Sequence, residues 1–301
     1  MGDWKRAARG VAVGTAAGMA FGLGGFFFSE IPGTYAMGSV MFLLVPFAAG
    51  FAIAAVTSGV QRISVAAFLA TLLSMSILIA THMETPLCAV MAFPFMFAGL
   101  LGGIGLAYLV QRVKRKRGGG ALKSIIFFSM PLLVFAGHRV ELSTLVHPRQ
   151  ETVTSTIWIA APPGKVWADL RSFDSLTAEK PALMYIGLPV PLRCTMQGSG
   201  QGATRTCYFN QGYIKETVIE WQPPARMRLS IDRTNLPGRH WLGFEDAEYD
   251  LSPNNGGTLL TRETTIISNL YPAWYWRPFE RRGVADEHEY IFRDLVRRSE
   301  R

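Results

Sequence analysis

Apolar residues run almost unbroken over Gly10–Phe28, Met37–Thr57, Ile63–Thr81 and Leu87–Val110, and for a shorter distance over Ser124–Gly137. A bilayer's hydrocarbon core, about 30 Å thick, takes about 20 helical residues to cross, so the first four stretches predict membrane spans. The fifth is short by that rule. Leu122 and Lys123 extend it at one end and Val140, Leu142, Leu145 and Val146 at the other, with Arg139 and Glu141 snorkelling or lying in the headgroup layer; so extended, it predicts a fifth crossing. The first stretch exceeds the apolar core of a signal peptide, and no small-x-small cleavage site follows it at once. It is read as a retained helix.

From Glu151 the period changes from helix to strand. Val153, Ser155, Ile157 and Ile159 alternate with Thr152, Thr154, Thr156 and Trp158, the two-residue repeat of a half-buried strand. Ala161-Pro-Pro-Gly-Lys-Val166-Trp167 opens a short helix with proline in its first turn, where a missing N–H costs nothing. Six more strands are expected at Pro189–Gln197, Ala203–Asn210, Tyr213–Trp221, Arg226–Asp232, Trp241–Leu251 and Thr258–Ser268. Gly198-Ser-Gly-Gln-Gly202, Pro223-Pro224 and Pro253-Asn-Asn-Gly-Gly257 mark turns between them. A last helix is expected over Gly283–Arg298.

Charge divides the chain at the same place. Twelve basic residues against four acidic ones precede Gln150, which equals the whole net charge of +8, so the high pI belongs to the membrane half and does not point to nucleic acid. Basic loops stay on the cytoplasmic side of a membrane. Lys5, Arg6 and Arg9, then Arg62, then the run Arg112–Lys123 alternate with turns bearing Glu30 and Glu84, which places the N-terminus inside. A fifth crossing then delivers the C-terminal half outside, making the chain an integral protein of a bacterial inner (plasma) membrane with a periplasmic or extracellular domain. Within the spans, Gly10, Gly14, Gly18 and Gly22 form one helix stripe. It serves either as a contact between copies or as packing against a neighbouring helix of the same chain. Pro46, Pro94 and Pro131 are expected to loosen their spans. Almost no ionisable residue lies within them, which removes the usual support for a transporter.

The order strand, short helical pair, antiparallel strands and long final helix is that of the helix-grip fold. The opening Val153–Phe173 with Ala-Pro-Pro-x-x-Val-Trp, the Glu220-Trp221-x-Pro-Pro turn, the Gly256-Gly257-Thr258 hairpin and the terminal helix with His288 resemble the SRPBCC superfamily. That superfamily includes START-type lipid carriers, polyketide cyclases and pollen-allergen-like proteins. The resemblance implies a curved antiparallel sheet around the last helix with an apolar cavity between them, and carries over no catalytic residues. The expected architecture is an α-helical transmembrane bundle over residues 1–146 followed by an α+β helix-grip domain over 151–301.

Cys194 and Cys207 lie at equal distances from a hairpin centred between Gly200 and Gln201, hence directly opposite each other. They form either a disulfide or a pair of small facing thiols. No histidine lies at ligand spacing from them, so no metal is expected; no cofactor is expected either. Val284, His288, Ile291, Phe292 and Leu295 make one apolar stripe of the last helix, in which His288 is a core residue or a ligand-binding or proton-transferring one. The last hairpin puts Glu245, Tyr249 and Arg262 on the apolar face, with Glu245 and Arg262 either a structural ion pair or a ligand headgroup site. Trp221, Tyr249 and Phe292 are candidate cavity wall; Glu245, Arg262 and His288 are candidate orienting groups. Tyr271-Pro-Ala-Trp274-Tyr275-Trp276-Arg277 suits either a membrane interface or a cavity rim. The expected partners are membrane lipids and a hydrophobic small molecule held or transferred by the domain. A cyclase or dehydratase, with Glu245 or His288 as acid or base, and a structural or sensory membrane protein are the alternatives.

Overall fold

The computed structural model describes residues 2–29, 37–117, 121–145 and 148–301. The turn bearing Glu30, the glycines 118–120 and Val146 lie outside the described residues. The chain divides into two compact units, one of residues 1–84, 88–147 and 269–272, the other of residues 85–87, 148–268 and 273–301.

The first unit holds α1 (Gly2–Ser29), α2 (Val45–Val56, entered through a π-wound turn over Val40–Leu44), α3 (Val60–Ala80), α4 (Pro86–Arg117) and α5 (Ala121–Leu145). Among the described residues four helices are long and apolar enough to cross a membrane: Trp4–Phe28, Val60–Ala80, Pro86–Arg112 and Ser124–Ser143. The short segment is therefore the second, Val40–Val56, and the fifth is full length. The reason lies at two ends. Thr57 leaves the helix in extended geometry (φ −114°, ψ 142°), whereas α5 runs on without a break through Arg139 and Glu141.

Ala48, Phe51, Ala52, Ile53 and Ala54 of α2 have no exposed surface; a helix apolar on every side belongs inside a bundle. Glycine makes that possible. A Cβ on Gly14 would meet Thr57 Oγ1 at 2.2 Å, and one on Gly18 would meet Ile53 at 2.6 Å and Ala70 at 2.8 Å. Gly14 and Gly18 of the stripe thus pack against α2 and α3 of the same chain, whereas a Cβ on Gly10 would meet nothing among the described residues within 4 Å. Across α2 and α4 the backbones themselves touch, with Gly50 against Leu100 and Gly103 against the Phe47 carbonyl.

Pro46 lies inside the helical segment Val40–Val56, just after its π-wound turn, the irregular winding that a proline brings to a span. One expectation changes here. Glu141 does not reach for headgroups. It is 5% exposed and accepts the Ser39 and Val40 backbone N–H groups at 2.6 and 3.3 Å, satisfying donors that a helix start leaves without partners.

The second unit is a seven-stranded antiparallel sheet in the order β1-β7-β6-β5-β4-β3-β2. Its strands are β1 (Arg149–Ile159), β2 (Pro191–Gln197), β3 (Thr204–Phe209), β4 (Gly212–Gln222), β5 (Arg226–Thr234), β6 (Leu242–Asn254) and β7 (Gly257–Ser268). Short helices α6 (Pro163–Arg171) and α7 (Ala182–Tyr185) follow β1, and α8 (Ala273–Ser299) closes the chain. This is the helix-grip arrangement. The β6–β7 turn is Asn255-Gly256, both with positive φ (45° and 78°), the geometry that favours Asn-Gly in a two-residue hairpin. Helix α8 begins ten residues before the expected Gly283, so Trp274, Tyr275 and Trp276 are part of it. Pro278 lies within the helix instead of ending it.

The core joins Ile159, Val166, Leu170, Val218, Leu229, Tyr249, Leu260, Phe292 and Leu295, all buried, from both layers. Ile266, Val153 and Val284 continue it at one end.

Candidate functional site

The inward face of the sheet is not uniformly apolar. On β3, side chains two residues apart share a face, so the strand that buries Cys207 also buries Arg205, 2% exposed. Opposite it on β4 stands Glu216, also buried, and the Arg205 Nε–Glu216 Oε2 distance is 2.6 Å. Arg205 Nη2 donates to the Tyr249 hydroxyl at 3.3 Å. Tyr249 in turn faces Arg262 across the β6–β7 ladder. The two guanidinium carbons lie 5.3 and 5.2 Å from the Tyr249 ring centroid, within the range where a cation is drawn to a ring.

From α8, Glu287 completes the group, 3.0 Å from Arg262 Nη2. Burial works against the charge on both arginines, yet Glu216 and Glu287 reverse the effect and hold each guanidinium above its ordinary pKa. Burial pushes the Glu287 carboxyl up, with Arg262 opposing. Arg262 Nε and Nη1 are buried without a hydrogen-bond partner among the described residues.

His288, with no exposed surface, lies between two hydroxyls, Thr264 Oγ1 at 2.8 Å from Nε2 and Ser155 Oγ at 2.9 Å from Nδ1. A hydroxyl can serve either tautomer, so a neutral ring is fully satisfied. Burial, and then Arg262, hold its pKa well below the ordinary value of 6.5. The sign of the linkage follows. Below about pH 6.5 the unfolded chain takes up a proton that the folded chain refuses, so stability contributed by neutral His288 is present above that pH and lost as the pH falls. Melting between pH 7 and pH 5 should lower the Tm of the wild type more than that of His288→Asn; equal slopes would contradict this.

Of the residues singled out in the sequence, Tyr249, Arg262, His288 and Phe292 meet in this interior. Tyr249 and Phe292 are buried in one apolar cluster, against which Trp221 packs. Trp221 reaches it because the β4 ladder skips a residue between Val218 and Glu220, which puts both Val218 and Trp221 on the inner face. Its ring packs edge-on against Trp167, centroids 5.0 Å apart.

Glu245 does not join them. The β6–β7 register shifts between Phe244 and Asp246, leaving Glu245 as the extra residue of a bulge. Its side chain is exposed and takes a hydrogen bond from Gln150. The partner of Arg262 is therefore Glu287. Cys194 and Cys207 are directly opposite and joined as a disulfide, with Cα atoms 4.0 Å apart. Among the described residues no three His, Cys, Asp or Glu side chains are grouped to hold a metal ion.

Arg205, Glu216 and Glu287 are absent from the sequence-based candidates. The signal for the first two was the placement of Cys207 inside; alternation carries Arg205 with it, and the next hairpin brings Glu216 opposite. The signal for Glu287 was its position three residues after Val284 and four before Ile291, on the same helical face.

The model of a family described as "Polyketide cyclase / dehydrase and lipid transport" matches residues 150–300. No curated protein matches the chain. Among solved structures, a START superfamily protein from Mycobacterium smegmatis is similar at 12% identity and TM-score 0.37, covering 50% of this chain and 97% of its own. A protein from Chromobacterium violaceum gives 14% and 0.37 over 50% and 97%. The Aha1 dimer from Colwellia psychrerythraea gives 17% and 0.33 over 48% and 96%. At identities this low the likeness says nothing about activity.

Proposed function

Because the chain belongs, over residues 150–300, to the polyketide cyclase / dehydrase and lipid transport family, we propose that its soluble unit binds a hydrophobic or lipid-like small molecule between the sheet and α8. The apolar helices anchor that unit at a membrane, so the ligand partitions between bilayer and protein, and the domain holds or transfers it.

One observation carries this reading: Arg262 is buried with two nitrogens that have no hydrogen-bond partner among the described residues. A buried ion pair adds little net stability compared with apolar packing, and an unsatisfied buried donor costs about 1–3 kcal/mol. Two such pairs facing an otherwise apolar interior suit a site that orients a ligand with a few polar groups and takes its affinity from apolar burial. Binding is favoured over catalysis because Glu245 faces solvent and His288 is locked between two hydroxyls, so neither sequence-based candidate is free to move a proton.

Phe292, 4% exposed in that interior, provides the test. Phe292→Arg puts a charge where the ligand's apolar part would lie, and Phe292→Leu keeps the wall apolar. Lipid-like material carried through mild extraction should fall at least about tenfold in the first, the equivalent of 1.4 kcal/mol, and persist in the second. Equal retention in both would remove the interior as the binding place.

The alternation of basic loops supports a domain on the outer side of a bacterial inner membrane, with α2 crossing as well as the four longer helices, and disulfides persist on that side. In cells lysed under an alkylating agent, Cys194 and Cys207 should be unmodified until reduced, while Cys88, outside any disulfide, is modified on denaturation. Labelling of both Cys194 and Cys207 without reduction would contradict the disulfide and the outer placement together.

A further inference from the structure

We propose that the polar end of the ligand is a carboxylate, which binds Arg262 in the position that Glu287 occupies in the structure. The proposal rests on the reading of this interior as a binding site and names the ligand class it takes.

The four charges of the cluster are not equally fixed. Arg205 and Glu216 hold each other at 2.6 Å with side chains 3% and 6% exposed. Arg262 is as enclosed, at 7%, but its partner Glu287 keeps 18% of its side chain accessible. Glu287 therefore stands where the cluster opens. It occupies only Nη2 of Arg262, at 3.0 and 3.3 Å, and leaves Nε and Nη1 with no partner among the described residues. A guanidinium donates in a planar fork that matches a carboxylate. A ligand carboxylate free to approach along the sheet could use donors that Glu287, fixed to α8, does not reach.

Charge selects the same class. The groups around the Arg262–Glu287 pair are Arg205 from β3, Glu216 from β4, Tyr249 from β6 and, beside Arg262, His288 of α8. His288 is neutral, so the cluster holds two positive and two negative charges. A cationic head would meet two guanidiniums with no spare carboxylate. An anionic head is accommodated when Glu287 takes one proton from solvent as it is displaced, a change that its burial already favours. One carboxylate then replaces another and the charge balance is kept. Charge also separates the two anions: a carboxylate brings the single negative charge that Glu287 gives up, whereas a phosphate monoester brings about 1.5–2 at pH 7.

The experiment adds equimolar isotopically labelled palmitate, hexadecanol and hexadecyl phosphate to membranes holding the full chain. After mild extraction, each is counted per protein by mass spectrometry. In the wild type palmitate should be retained about tenfold or more over hexadecanol, the contribution of one hydrogen bond to a charged group, and over hexadecyl phosphate. Arg262→Leu should bring palmitate down to hexadecanol while hexadecanol stays bound, which also shows the interior intact. Glu287→Gln, which removes the competing carboxylate, should raise palmitate retention. Equal retention of palmitate and hexadecanol, or phosphate ahead of carboxylate, overturns the carboxylate assignment and leaves apolar binding standing. Retention of none of the three removes the binding reading itself.

Discussion

Glu216→Leu alone is expected to destabilise the soluble unit by about 3–5 kcal/mol, and adding Arg205→Met is expected to restore most of that loss. The single change leaves the Arg205 guanidinium, 2% exposed, with the Tyr249 hydroxyl as its remaining hydrogen-bond partner. A buried charge stripped of its counter-ion carries its full desolvation cost. The double change replaces both charges by apolar groups of similar volume in a place lined by Cys207 and Tyr249. Thermal unfolding of the wild type, the two single variants and the double variant closes the cycle. A double variant as unstable as Glu216→Leu would show that Arg205 and Glu216 are held by something other than each other.

In the membrane unit the largest effect is expected at Gly103. A Cβ there would stand 1.9 Å from the Phe47 carbonyl oxygen and 2.7 Å from the Phe51 nitrogen. Both are backbone atoms of the α2 helical segment and its core, and neither can turn aside as a side chain would. Gly103→Leu must push α4 from α2, at or beyond the upper end of the 1–3 kcal/mol that overpacking usually costs. Gly105, two residues on, has no atom within 4 Å of its virtual Cβ, so Gly105→Leu should be tolerated. The check is the yield of monodisperse protein in detergent and its Tm. Equal behaviour of the two variants would mean that α2 and α4 do not meet backbone to backbone.

The period-two pattern made most of the sheet legible. The centre of the Gly198–Gly202 hairpin gave the pairing of Cys194 with Cys207 to the residue. In the last hairpin the turn lies at Asn255-Gly256, one place beyond the expected Asn254-Asn255. Partners then shift by two residues, so the faces are unchanged and Tyr249 and Arg262 still share the inner one.

A shift of one residue is what alternation cannot foresee. The bulge at Glu245 costs one position and turns a supposed interior carboxylate outward. The bulge after Val218 does the opposite for Trp221, which alternation from Val218 alone would send outside. Both bulges arise from ladder geometry, which no residue type in the strand announces.

Charge hid the rest of the site. Arg205, Glu216 and Glu287 sit at positions whose spacing marks them as inward, but arginine and glutamate are seldom fully buried unless paired, and the pairs come from separate strands and a distant helix. Pro278 hid the first ten residues of α8, since proline inside a helix usually ends it. In the membrane half, α2 is shorter than the other apolar helices, and its burial on all sides is what an unbroken apolar run inside a bundle also produces.

The central claim, that the soluble unit of this membrane-anchored chain holds a hydrophobic ligand between its sheet and α8, is tested most directly by what the wild-type protein carries. Protein purified under mild extraction, washed free of loosely held lipid and denatured in organic solvent should release about one equivalent of a lipid-like molecule per chain. The isolated membrane unit, residues 1–147, taken through the same steps should lack that species. Wild-type protein that releases nothing beyond what the membrane unit alone carries would contradict the account.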